Sequence, residues 1–155
     1  MSLMDKTHHS YFLEGKRKEV KNWLLGELKK KWNFKSEANP DFMEFSFETL
    51  SIDDSRGIKE TASKKAFNPP FVIFISFNFA TGEAQNALLK VFEEPGEDIY
   101  FFVIIPNKEI LLSTVKSRLL SLRPQLDSLA TKLESGLSKE AEKFLKSFPE
   151  ERLKI

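Results

Sequence analysis

Gly15 and Lys21 stand six residues apart, behind a short apolar segment and at the head of an amphipathic one. That is the spacing of a phosphate-binding loop, Gly-x-x-x-x-Gly-Lys-Ser/Thr. In such a loop backbone N–H groups cradle phosphates, the lysine reaches them and the last hydroxyl holds Mg²⁺. Two positions depart from the rule. Val20 stands where the second glycine belongs, and a Cβ there obstructs the nest of N–H groups. Asn22 replaces the metal-binding hydroxyl, and its amide oxygen is a poor substitute. Gly15, Lys21 and Asn22 are therefore expected to be a degenerate loop that binds no cofactor.

A second departure lies downstream. An ATPase with this kind of loop holds Mg²⁺ through an acid at the end of its third strand and polarises water with a neighbouring one. Residues 71–82 contain no Asp or Glu, and the positions expected to be acidic, near Ser76 and Phe77, are not. Other chemistries fare worse. The chain has no Cys, and its two His, His8 and His9, are adjacent, so thiolate sites, disulfides and a metal cluster are not expected. No apolar run approaches the roughly 20 residues of a membrane span. No signal peptide is visible, which leads to the expectation of a cytoplasmic protein. Met1-Ser2-Leu3 ahead of Met4 resembles a cloning remnant and is set aside.

Net charge is +1 over 155 residues, but residues 5–35 carry nine Lys or Arg against four Asp or Glu. Such a stretch is either the solvated face of a helix or a surface for phosphate.

The elements that must position these residues follow from periodicity. Ser10–Glu14 reads as a strand. Arg17–Trp32 reads as a helix, with Val20, Trp23, Leu24, Leu28 and Trp32 on one face. Residues 41–48 form the next strand candidate. A helix over 52–67 can be capped by Ser51 or Asp53, and Asn68-Pro69-Pro70 breaks the chain. Residues 71–75 and 99–105 are uninterrupted apolar runs, the pattern of central parallel strands covered on both faces. Between them residues 81–94 form a helix with Ala84, Ala87, Leu88 and Val91 on one stripe, a Thr81 cap and a Pro95 stop. A short helix over 110–117 and a fifth strand over 119–123 complete the set. Five strands with interleaved helices make a parallel α/β sandwich of the P-loop type. After Pro124 two helical stripes, Leu126 to Leu133 and Leu137 to Phe148, read as the start of a helical lid. Domains are thus expected over 4–123 and 124–155.

The string Asn86-Ala-Leu-Leu-Lys90-Val-Phe-Glu93-Glu94-Pro95, with its Thr81 lead-in, resembles the corresponding segment of bacterial DNA polymerase III clamp-loader subunits of the delta-prime and gamma type. Ile52-Asp53-x-x-Arg56 is similar to that family's opening of the second helix. Ser117-Arg118 is similar to its Ser-Arg-Cys motif, with Leu119 in place of Cys. The resemblance covers roughly residues 10–123 and implies an AAA+-like three-layer fold. It implies partners too: other clamp-loader subunits directly, and the sliding clamp and primed DNA through the complex. It further implies that Arg118 reaches into a neighbouring subunit's ATP site, and that Ser117, Asn86, Lys90, Glu93 and Glu94 lie at interfaces. The four-cysteine zinc module common in bacterial members is missing, and the chain stops short of the family's collar domain. Three functions stay open on sequence alone: a non-hydrolysing clamp-loader subunit, a weak ATPase using Lys21, and a DNA-binding module built on the Lys16–Lys35 basic stretch.

Overall fold

The two uninterrupted apolar runs form the middle of a sheet. In this computed structural model, residues 8–124 are described. The element order is β1 (Ser10–Glu14), α1 (Arg17–Trp32), β2 (Phe42–Leu50), α2 (Ile52–Ala62), β3 (Phe71–Ala80), α3 (Gly82–Glu93), β4 (Ile99–Ile105), a 3₁₀ turn (Lys108–Ile110), α4 (Ser113–Lys116) and β5 (Leu120–Ser121). The sheet runs β2-β3-β4-β1-β5, and every pair is parallel. Parallel neighbours need a crossover for each connection, which is why helices alternate with strands. All of β4 and the first seven residues of β3 are buried, as strands covered on both faces must be.

The two faces differ in packing. On one, Ile73, Ile75, Phe77, Phe101 and Val103 meet Ile58 of α2, Leu88 and Phe92 of α3 and Val115 of α4. On the other, Val20, Leu24 and Leu28 of α1 are fully buried, and α1 packs on β4. That face is largely aromatic: Phe42, Phe74, Phe102 and Tyr11 form a chain of ring contacts with centroids 5.0–5.8 Å apart.

Several element bounds differ from the sequence expectation, each for a local reason. The second helix stops at Ala62 rather than at 67. Beyond it the buried Asp41 carboxylate accepts the N–H groups of Phe67 and Asn68, both at 2.7 Å, and holds that segment out of the helix. β2 runs over 42–50 rather than 41–48, and β3 continues to Ala80 because the two stay in register as far as Leu50 and Ala80. The helix expected over 110–117 is a 3₁₀ turn and a separate four-residue α4. β5 is two residues long, not five. On α3, Ala84, Gln85, Leu88 and Phe92 are the buried positions, whereas Ala87 and Val91 are half-buried, so the inward stripe is rotated from the one expected. Caps agree with the sequence: Ser51 and Asp54 form a capping box on α2, and Thr81 Oγ1 accepts from Ala84 N–H at 3.0 Å. The helical stripes beyond residue 124 lie outside the described residues.

Tyr100 supplies a pH-dependent contribution to this core. Its ring stacks on His9 at 4.5 Å and meets Trp32 edge-on at 4.8 Å. Burial pushes its phenol above the ordinary value of 10.0, and the Asp98 carboxylate adds to the rise. Stability from this group is therefore fully present below the unfolded value near pH 10 and is lost as pH climbs through the folded value. Denaturant titrations between about pH 9 and 11 are expected to show a shallower loss for Tyr100→Phe than for the wild type.

Candidate functional site

In open parallel sheets ligands sit beyond the C-terminal ends of the strands, so β1's exit is the place to find a phosphate loop. The connection from β1 to α1 is only Gly15 and Lys16. Gly15 has φ +147°, and its N–H donates to the Ile105 carbonyl at 2.9 Å. A Cβ built on Gly15 would lie 2.7 Å from Val20 Cγ2, so the valine side chain fills the space beside the turn. Val20 N–H already donates to the Lys16 carbonyl at 2.9 Å, as part of the first turn of the helix. The Val20 and Lys21 positions are thus helical rather than part of an open loop. Lys21 Nζ pairs with Glu44 Oε1 on β2 at 2.8 Å, and Asn22 is exposed. The three loop positions therefore point to three different surroundings.

The end of β3 shows what occupies the adjoining ground. Ser76 is buried and faces α1, with its hydroxyl 3.3 Å from Ser46 Oγ and 3.4 Å from the Phe45 carbonyl. Phe77, one residue on, belongs to the core of the opposite face. Arg17 donates to Ser46 Oγ at 2.6 Å and to the Phe47 carbonyl at 2.8 Å. Asn78 donates to Glu48 at 2.8 Å. Glu14, at the end of β1, accepts from Lys108 N–H at 2.7 Å and ties the turn after β4 across the strand end. The result is a polar bridge from α1 to β2, with two cations turned toward strand oxygens. Among the described residues, no group of three or more His, Asp or Glu is placed to hold a metal.

The second site lies at the far end of α3. Asn86, Lys90, Glu93 and Glu94 are all exposed and fall at i, i+4, i+7 and i+8 along one ridge. Arg118 Nε lies 3.7 Å from Glu93 Oε1, and Nη1 donates to the Thr114 carbonyl at 2.8 Å. Nε itself is buried and makes no hydrogen bond among the described residues. Glu93 ends α3, where a helix dipole favours cations, and the guanidinium is the positive group facing it. Ser117 Oγ donates to the Thr114 carbonyl at 2.9 Å and flanks Arg118.

Gln85 fixes the segment that carries Arg118. Its side chain is 4% exposed and donates to the Ile110 carbonyl at 3.0 Å, while its Oε1 accepts Leu112 N–H at 2.7 Å. Leu112 is the N-cap of α4, so α3 holds the start of the short helix whose end bears Ser117 and Arg118.

The family described as DNA polymerase III, delta subunit, matches residues 2–126. The chain belongs to that family. Over 73 residues it is 38% identical to the DNA polymerase III subunit delta-prime of Buchnera aphidicola subsp. Schizaphis graminum, a stretch covering 46% of this chain and 22% of that protein. In fold it is similar to a DNA polymerase III gamma subunit-related protein from Thermotoga maritima, with a TM-score of 0.64 at 24% identity over 78% of this chain and 43% of that one. The clamp-loader likeness expected from the Asn86–Pro95 string, of delta-prime or gamma type, is borne out, as is the AAA+-like parallel α/β fold. The chain spans about a fifth of the curated relative and under half of the structural one. No helix among the described residues is long and apolar enough to cross a membrane.

In this DNA polymerase III chain the two candidate sites lie at opposite ends of two neighbouring parallel strands. Gly15 follows the C-terminal end of β1. Arg118 precedes β5, whose Leu120 is level with Tyr11. Tyr11 is four residues, about 13 Å at roughly 3.3 Å per residue, short of Gly15 along the strand direction, and Arg118 lies in the turn before that level. The structure brings Ser117, Arg118 and Glu93 together and keeps Gly15, Lys21 and Asn22 away from them. Sequence reasoning missed Arg17, Glu14, Ser46 and Gln85. The alternation of Glu44, Ser46 and Glu48 with phenylalanines was a usable signal for a polar strand face, but nothing local marked Gln85 as buried.

Proposed function

We propose that this chain is a non-hydrolysing structural subunit of the DNA polymerase III clamp loader, of the delta-prime or gamma kind, and that it offers Arg118 to a neighbouring subunit's ATP site. The observation that carries the first half is the two-residue connection Gly15–Lys16, with Val20 packed into the space beside it. A phosphate needs several free N–H groups around a concavity, and here a helix starts instead. Three further features support it: Lys21 is engaged by Glu44, Ser76 stands where a metal-binding acid is expected, and the Glu14 carboxylate lies at the strand end a phosphate would approach. For the second half, the position of Arg118 at the opposite strand end from Gly15 favours action on another subunit over action on its own. On this proposal the chain works in the cytoplasm with other clamp-loader subunits, and meets the sliding clamp and primed DNA through the assembled complex.

Calorimetric titration with Mg-ATP tests the first half directly. Binding is expected to be absent or weaker than about 1 mM, equivalent to roughly −4 kcal/mol. A micromolar dissociation constant, or Mg²⁺-dependent turnover abolished by Lys21→Ala, would mean that the chain is an ATPase with an unusual loop.

A further inference from the structure

We propose that the outward face of α1 docks the sugar-phosphate backbone of DNA, through lysines that belong neither to the loop remnant nor to the Arg118 site. Lys18, Asn22, Leu25 and Lys29 follow i, i+4, i+7 and i+11, which makes them one ridge of the helix. Lys18, Lys29, Lys30 and Lys35 are exposed, and none of the four has a carboxylate within ion-pair distance among the described residues. The acids on this helix do little to offset them. Glu27 is taken up by Lys31 at 3.8 Å, and Glu19 is an exposed single charge. Lysines in the last turn of a helix ordinarily answer its dipole, which accounts for Lys29 to Lys31. It does not account for Lys18 near the start or Lys35 beyond the end.

Two features make the ridge a receiving surface. Gly26 sits exposed in the middle of α1, where glycine costs about 1 kcal/mol relative to alanine. A Cβ on it would meet nothing within 4 Å, so nothing among the described residues calls for glycine there. Beside it a cavity of about 530 Å³ is lined by Gly26, Lys29, Phe34, Lys35, Ser36 and Glu37. Bare helix backbone next to two ammonium groups and a hydroxyl lets a phosphate strand approach closely, and Glu37 is the single acid on the rim. From Lys18 to Lys29 the helix rises about 17 Å. That matches about five nucleotides of one strand at 3.4 Å each, so several phosphates can be met at once.

The test is fluorescence anisotropy of the full chain with a labelled 20-base-pair duplex and with one of its strands, between 50 and 200 mM salt. Four phosphate contacts predict a slope of log affinity on log salt near −3.6 for the duplex, a loss of about 10²-fold over that range. A single strand meeting the same lysines follows a slope nearer −2.8, so the two arms show which form is held. Replacing Lys18, Lys29, Lys30 and Lys35 with alanine is expected to remove most of the slope and weaken binding at least tenfold at 50 mM. Lys29→Glu alone, with the helical circular dichroism signal unchanged, should weaken it several-fold. Lys59, Lys64 and Lys65, exposed elsewhere, serve as the control triple. No binding at 50 mM salt, equal loss in the control triple, or displacement by polyglutamate at matched charge would each overturn the proposal.

Discussion

Replacing Arg118 with alanine is expected to lower DNA- and clamp-stimulated ATP turnover of the reconstituted complex by about 10³-fold at sites served by this subunit, the scale of an arginine finger. The guanidinium stays charged and pairs two phosphate oxygens through a planar fork, so Arg118→Lys keeps the charge but loses the bidentate geometry and should recover little. Assembly should survive in both variants. Within its own domain Arg118 holds Glu93 at 3.7 Å, with the two side chains 31% and 55% exposed. An exposed pair of this kind contributes under about 1 kcal/mol to the fold. The local arrangement also says what must move. Arg118 rests against the end of α3, so reaching a neighbour requires it to leave Glu93, and Glu93→Gln should leave turnover intact or raise it. Wild-type clamp loading by both Arg118 variants would leave this subunit with a purely structural role.

The second large effect is expected from Gln85→Leu. The substitution keeps the volume but removes an amide that donates to the Ile110 and Ala80 carbonyls and accepts Leu112 N–H. Backbone groups left unpaired in a buried setting cost about 1–3 kcal/mol each, so a loss of roughly 3 kcal/mol is expected. For a domain of this size that lowers the melting temperature by on the order of 10 °C. Gln85→Glu separates the accepted bond from the donated ones. A carboxylate still accepts from Leu112 N–H but cannot donate to the Ile110 carbonyl. Because Gln85 holds the start of α4, the reconstituted complex carrying Gln85→Leu should also lose turnover at temperatures where the fold is intact. A thermal melt unchanged from wild type would mean that the Ile110–Leu112 segment is held by its apolar packing instead.

Which residues were legible beforehand follows from the range over which each acts. Phe71 to Ile75 and Ile99 to Ile105 announced central strands because a strand buried on both faces needs an unbroken apolar run, and both lie at the middle of the sheet. Ser51 and Thr81 announced helix starts because a cap is satisfied within three residues of itself. Ends were less legible. The segment after α2 is held out of the helix by Asp41, whose partners Phe67 and Asn68 are 26 and 27 positions away. On α3, helical periodicity chose Ala87 and Val91, while the folded chain turned Gln85 inward, because its amide finds backbone partners in the segment before α4.

The sequence by itself determined the alternation of strands and helices, the parallel sheet that such alternation requires, and the family, carried by a contiguous string from Asn86 to Pro95. Each is written in neighbouring residues, where periodicity and capping act. Only the tertiary structure decided that Val20 packs beside Gly15, that Lys21 turns to Glu44, and that Glu93 faces Arg118. It also decided that Arg118 lies at the opposite end of the strands from Gly15. Lys21 meets Glu44 across 23 positions and Arg118 meets Glu93 across 25, because the crossovers bring distant segments side by side. A side chain's chemistry depends on which partner it finds there, and spacing along the chain does not specify that partner.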